Sequence, residues 1–163
     1  MKIEELEKEI NDIEETLNNL KIKVEELKKN KNSFEPTPKG WRPKDGEKYH
    51  FVNIGLRVCE STFDDSSIID EEIIKYNRIF QSEEECQLYC EIQRAFRDAS
   101  KEFECEKNNY LLRCYMTEKR LSIIIGGYCK ANELYFDSEE IIRNLIDKFG
   151  EENVKRYYLN VYD

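Results

Sequence analysis

A five-residue motif, Phe-x-Ser-Glu-Glu, occurs twice and constrains the fold of this chain more than any other feature. Its two serines, Ser82 and Ser138, lie 56 positions apart. In each copy an extended segment meets the start of a helix, because serine is a favoured N-cap residue and acids in the first turn complement the helix dipole. The repetition predicts two related ββα halves within one α+β domain.

The elements around the motif follow from periodicity and turn residues. Ser82-x-x-Glu85 reads as a full capping box, whereas the second copy has Ile141 in the corresponding place. Gly150 is a typical residue to end the second helix. The pattern predicts hairpins over 49–63 and 110–125, a polar loop over 64–70, an irregular lead-in over 73–80, helices over 83–104 and 139–149, a short strand over 134–136 and a closing strand over 154–162.

These elements predict a mostly antiparallel sheet with both helices packed on one of its faces. The domain is expected to span 41–163, with one ββα half over 41–106 and the other half plus the closing strand over 107–163. A linker over 30–40 precedes it, because Pro36 and Pro38 exclude a helix there.

The N-terminal segment, 1–29, has a different pattern. Apolar residues alternate there at steps of three and four, which is the requirement for a left-handed coiled coil. They occupy four heptads: Ile3, Leu6, Ile10, Ile13, Leu17, Leu20, Val24 and Leu27. A helix with one apolar stripe needs a partner, and we expect the partner to be a second copy of the chain.

The charges beside this stripe favour an antiparallel homodimer. That arrangement places Glu7 and Glu14 opposite Lys21 and Lys28, whereas a parallel pair sets like charges together. Each exposed ion pair contributes only about 0.3–0.5 kcal/mol, so the preference is small. A helix that folds back on its own domain is the alternative.

Acidic residues are concentrated in one block of the sequence. Residues 60–106 contain 14 acids and five bases, so this block accounts for the whole net charge of −9. Such a surface repels nucleic acid and attracts basic proteins. We expect the partner-binding residues to be these acids, with one aromatic anchor: Trp41, Asp64, Asp65, Asp70, Glu71, Glu72, Glu83 and Glu84.

No catalytic, cofactor or metal motif is evident, so we expect a non-enzymatic protein. Cys86 and Cys90 are one helical turn apart and could supply two zinc ligands, but they are more typical of buried thiols. His50 could act as the base for Cys59, although an isolated strand histidine is usually structural. The acids could bind a divalent cation, but they lack the regular calcium-loop pattern.

The remaining features concern location and nucleic acid. The N-terminus is charged and has no apolar signal segment, so the six cysteines are expected to be reduced thiols in a cytoplasm. A second functional hypothesis is binding of single-stranded nucleic acid, through cations interleaved with aromatic residues in the first hairpin. These cations are Arg42, Lys44, Lys48 and Arg57.

Two segments carry a resemblance to known proteins. Trp41-Arg42-Pro43-Lys44-Asp45-Gly46-Glu47-Lys48-Tyr49 and Asn77-Arg78-Ile79-Phe80-Gln81-Ser82-Glu83-Glu84-Glu85 resemble small accessory proteins of phages and mobile elements of Gram-positive bacteria. Cys86 departs from the alanine usual in those proteins.

The resemblance implies a phage protein in the cytoplasm of a bacterial host. It also implies an inhibitor that is similar to anti-CRISPR proteins and binds a basic, nucleic-acid-processing host complex such as a CRISPR or other defence nuclease. A structural phage component is the further alternative.

Overall fold

The computed structural model describes residues 34–115 and 117–162, together with residues 13, 16–17 and 20–21. The chain divides into two compact units, Met1–Glu35 and Pro36–Asp163. In the first unit, residues 13, 16–17 and 20–21 are helical, and Ile13, Leu17 and Leu20 are exposed there. The other heptad positions, and with them the predicted coiled-coil pairing, lie outside the described residues.

The second unit begins with a three-stranded antiparallel sheet. It consists of β1 (Lys48–Val52), β2 (Val58–Thr62) and β3 (Ile79–Phe80), in the order β2-β1-β3. The first hairpin is therefore confirmed. Its turn is held by Asn53, whose side-chain oxygen accepts hydrogen bonds from the N–H groups of Gly55 and Arg57, both at 3.0 Å.

A helix that the sequence analysis missed lies between β2 and β3. This helix, α1 (Ile68–Tyr76), occupies much of the predicted loop and lead-in. Ser67 caps it by accepting a hydrogen bond from the N–H of Asp70 at 3.3 Å. The apolar stripe of α1 is short and its first two isoleucines are exposed, so the helical periodicity was too weak to be recognised.

The central strand β1 separates α1 from α2 (Glu83–Ala99). Directly opposed residues of an antiparallel pair project to the same face, and successive residues project to opposite faces. Phe80 opposes His50, and the Phe80 ring lies 5.4 Å from the ring of Tyr89 in α2. Tyr49, on the other face, bonds Asp70 in α1. The three-stranded sheet is therefore covered by one helix on each face.

The second sheet has two strands, β4 (Tyr110–Tyr115) and β5 (Arg120–Ile125), which confirms the second hairpin. Helix α3 (Glu139–Phe149) follows, capped by Ser138 and ended by Gly150 at φ 83°, as predicted. The α+β class and the antiparallel strands are thus confirmed. The predicted single sheet with two helices on one face is wrong, because the hairpins belong to two separate sheets.

Both copies of the repeated motif occupy the same local position. Phe80 pairs with His50 in β1, and Phe136 forms a bridge with Tyr110, the first residue of β4. Both phenylalanines are buried, at 1% and 0% exposure, and a serine cap begins a helix two residues later. In each copy the phenylalanine pairs with the first strand of the hairpin that precedes it in the chain.

The predicted closing strand is wrong. Residues 151–158 form instead a C-terminal helical segment, with a short turn over Glu151–Asn153 and a π-helix over Val154–Tyr158. Val154 and Tyr157 are its buried residues. They lie three positions apart, which is a helical spacing and not the alternation of a strand. Ion pairs from Lys155 to Glu151 and Glu152, at 2.7 and 3.0 Å, accompany the first turn.

A buried carboxylate joins three parts of this unit. Glu85 is 1% exposed and accepts hydrogen bonds from the N–H and the hydroxyl of Thr37 and from the hydroxyl of Tyr157 at 2.8 Å. The predicted capping box is thus only half formed: Ser82 accepts from the N–H of Glu85 at 3.2 Å, while the Glu85 side chain points elsewhere. Thr37, in the predicted linker, is part of the folded unit.

We expect Tyr157→Phe to lower the free energy of unfolding by about 1–3 kcal/mol, because it removes one of the two hydrogen bonds that a buried carboxylate oxygen of Glu85 accepts. Urea unfolding followed by circular dichroism measures this change. Tyr158→Phe is the matched control, since no hydrogen bond from the Tyr158 hydroxyl is found in the described part of the chain. Equal stabilities of the two variants would contradict the assignment.

Candidate partner-binding surface

Three exposed carboxylates meet where the first hairpin opens. We call Asp45, Asp64 and Asp65 the acidic patch; one side-chain oxygen of each lies within 4.8 Å of the others. Asp64 is fixed because it accepts hydrogen bonds from the N–H and hydroxyl of Ser66, at 2.9 and 2.6 Å. These bonds lower the pKa of Asp64 below its usual range.

Asp45 is the member that the sequence analysis missed. It lies in a turn before β1, where the N–H of Gly46 donates to the carbonyl of Phe63 at 2.8 Å. That bond continues the pairing of β1 with β2, and the N–H of Asp65 donates to the carboxylate of Asp45 at 3.3 Å. Extending the first hairpin beyond Lys48 and Thr62 would have brought Asp45 beside Asp64 and Asp65.

Asp70 does not belong to the surface, so this part of the prediction is corrected. It is 7% exposed and accepts hydrogen bonds from the hydroxyls of Tyr49 and Ser61, at 2.8 and 3.4 Å. Burial and the Asp70 carboxylate together raise the pKa of Tyr49 to about 12. Asp70 therefore anchors α1 to the sheet.

The other predicted partner-binding residues are spread over the unit. Glu71 is ion-paired with Arg42, and Glu72 is exposed on α1. Glu83 and Glu84 are exposed in the first turn of α2, which covers the opposite sheet face. The structure thus does not gather the eight predicted residues into one site.

Trp41 is half-buried and lines a cavity of about 340 Å³. Arg78 and Tyr162 line the same cavity. The Arg78 guanidinium lies 5.1–5.2 Å from the ring centres of Tyr89, Tyr157 and Tyr162, so its charge is already held over aromatic faces. Trp41 is therefore a wall of this cavity, and only a minor part of its surface is left for a partner.

The structure does not support a His50–Cys59 pair. His50 opposes Glu60 in the hairpin register, whereas Cys59 opposes Phe51, so the two side chains project from opposite faces of the sheet. His50 Nε2 lies 3.5 Å from a carboxylate oxygen of Glu60, and its Nδ1 is buried without a partner in the described residues. The proposed base cannot reach the thiol.

The structure buries the two cysteines considered as zinc ligands and pairs two of the four cations considered for nucleic-acid binding. Cys86 and Cys90 are buried, and burial raises the pKa of the Cys86 thiol to about 12. Within residues 34–115 and 117–162, the acidic patch is the one group with the ligand spacing of a metal site. Arg42 and Lys48 are ion-paired with Glu71 and Glu60, which neutralises two of the four cations proposed to bind single strands.

Comparisons with known proteins add no relative. No family model matches the chain, and neither do curated proteins or solved structures. The resemblance to phage accessory proteins therefore stays a prediction. Among the described residues, no helix is long and apolar enough to cross a membrane.

Four of the six thiols are expected to form two distinct classes in their reaction with a chromogenic disulfide. Cys105 and Cys129 are exposed and should react first, whereas Cys86 and Cys90 should react only on unfolding, because the thiolate is the nucleophile and burial disfavours it. Absorbance of the released thiolate measures both classes. The variant Cys105→Ser/Cys129→Ser is the control and should lose only the rapid phase. A rapid reaction of Cys86 in the folded protein would contradict this assignment.

Proposed function

We propose that this chain is a non-enzymatic binding protein that docks on a basic surface of another protein through the acidic patch. One observation carries the proposal: three exposed carboxylates converge, and no lysine or arginine among the described residues forms an ion pair with any of them. A folded chain gains nothing from this repulsion. A partner that supplies cations would relieve it.

Charge complementarity of this kind acts mainly on the rate and choice of partner. A concentrated negative field accelerates encounter with a basic surface and disfavours acidic competitors. The position of the patch suits this role, because it lies at the open end of a hairpin anchored by buried Asp70 and Tyr49. The carboxylates are therefore presented by a rigid support.

The resemblance to phage accessory proteins suggests the kind of partner. Nucleic-acid enzymes carry basic grooves that track phosphate backbones. We propose that the acidic patch occupies such a groove in a bacterial defence nuclease, such as a CRISPR nuclease, and inhibits it in the host cytoplasm. No catalytic residue is required, since occupation of the groove is sufficient.

The predicted N-terminal coiled coil gives this proposal a second part. If residues 3–27 pair two chains, each assembly presents two acidic patches. Linking two weak contacts raises the effective concentration of the second one and strengthens the whole interaction. The two repeated ββα halves then serve as the scaffold that holds one patch in each copy.

We expect Asp45→Lys/Asp64→Lys/Asp65→Lys to abolish inhibition of a guide-loaded CRISPR nuclease, measured as cleavage of a duplex target after preincubation. All three positions are exposed, so folding should be retained, and circular dichroism checks this. For the parent protein, the association rate should fall as salt rises, because exposed charges are screened.

The matched control is Asp98→Lys/Glu102→Lys/Glu106→Lys. It changes the net charge equally at exposed positions away from the patch, and it should inhibit as the parent does. Equal loss in both variants would indicate a response to net charge alone and would overturn the patch assignment. If the parent inhibits no CRISPR or other defence nuclease in a panel, the inhibitor proposal fails.

A further inference from the structure

The strand β5 has an open edge whose orientation follows from the hydrogen bonds around it. Tyr110 and Phe136 exchange two backbone bonds, at 2.8 and 3.0 Å, so the polar groups of Tyr110 point away from β5. The N–H of Gly126 donates to the carbonyl of Asn109 at 2.8 Å, on the β4 side. The direction of the backbone polar groups alternates from one residue to the next along a strand. The N–H and C=O groups of Leu121, Ile123 and Ile125 therefore point outward, away from β4.

No strand covers this edge in the described part of the chain, where β5 pairs with β4 alone. The side chains beside the edge are apolar. Leu121, Ile123 and Ile124 are only half-buried, and Ile125 is 58% exposed. Residues 121–125 contain no charge and no proline. Natural proteins usually protect an uncovered edge with a charged residue or a proline. A segment that has neither indicates pairing with another strand.

The second edge strand of this unit shows the usual protection. In β2 the N–H of Phe63 donates to the carbonyl of Glu47, so Phe63 points inward and Glu60 and Thr62 point outward. Glu60 places a charge in the middle of that edge, where it forms an ion pair with Lys48 at 2.9 Å. β5 is therefore the long edge left open for pairing, since β3, the other outer strand of the three-stranded sheet, has only two residues.

We propose that β5 pairs antiparallel with β5 of a second copy, with a two-fold axis at Ile123. This register sets Ile123 opposite the second copy's Ile123, and Leu121 opposite its Ile125. All three outward residues then form hydrogen-bonded pairs, each exchanging two bonds. The result is one continuous four-stranded sheet.

The chemistry of the segment favours its own copy as the occupant. Each pair opposed within residues 121–125 joins uncharged residues, with Ser122 opposite Ile124. The charged Arg120 lies opposite the uncharged Gly126. No like charges meet, although Lys119 and Arg120 flank the strand. A two-fold contact uses the same surface patch on both copies, so that patch must be complementary to itself. β-branched residues also pair favourably across strands.

The test uses the full chain with Leu17→Glu/Leu20→Glu, so that pairing of the N-terminal helix does not mask the contact. We expect the mass from sedimentation equilibrium to rise with concentration toward that of two copies. Adding Ile123→Pro should raise the dissociation constant at least about 30-fold. It removes the two bonds at the axis but no bond within the hairpin.

Thr62→Pro is the matched control, because it places proline at an outward position of the other edge strand and should leave the dissociation constant unchanged. Ile123→Lys is the second variant and keeps the backbone donor. It should weaken pairing because the two lysine ammonium groups repel each other at the axis. High salt screens this repulsion and should partly restore pairing.

Hydrogen exchange gives an independent readout on the same proteins. The amides of Leu121, Ile123 and Ile125 should become protected as concentration rises, while Thr62 should not. A chain that stays monomeric at every concentration, with rapid exchange at Ile123, overturns the proposal. An unchanged dissociation constant in a folded Ile123→Pro variant does the same.

Discussion

The folded unit depends on the buried carboxylate of Glu85. A charged group at 1% exposure is tolerated only when its oxygens are satisfied, and here the donors come from Thr37 and Tyr157, which are 48 and 72 positions away in sequence. The Arg156 guanidinium adds a hydrogen bond to the carbonyl of Thr37 at 2.5 Å. One side chain thus fixes the entry segment, α2 and the C-terminal helical segment together.

A second constraint is that both faces of the three-stranded sheet are covered. Asp70 bonds Tyr49 on one face, and α2 covers Phe80 on the other. The acids of α1 are therefore divided into a buried anchor, Asp70, and the outward residues Glu71 and Glu72. Because the first hairpin is held by α1 and by α2, its open end can support the three repelling carboxylates of the acidic patch.

Local sequence signals predicted much of the fold. Ser82 and Ser138 cap their helices, Gly150 ends α3 at a positive φ, and the two hairpins form where turn residues separate alternating strands. The errors fall where local signals are ambiguous. The alternation of Tyr157, Leu159 and Val161 suited a strand, although residues 154–158 are helical. Helix α1 has too few apolar positions to be recognised by period.

The sequence by itself determined the caps, the hairpins and the concentration of acids between residues 60 and 106, because these depend on neighbouring residues and on composition. The tertiary structure decided how the acids are used. Asp45 joined the acidic patch through strand pairing, Asp70 was buried by Tyr49, and Glu85 left its capping role for Thr37 and Tyr157. A carboxylate takes whichever donors the packed chain brings within hydrogen-bonding distance, and residues far apart in sequence supply most of them.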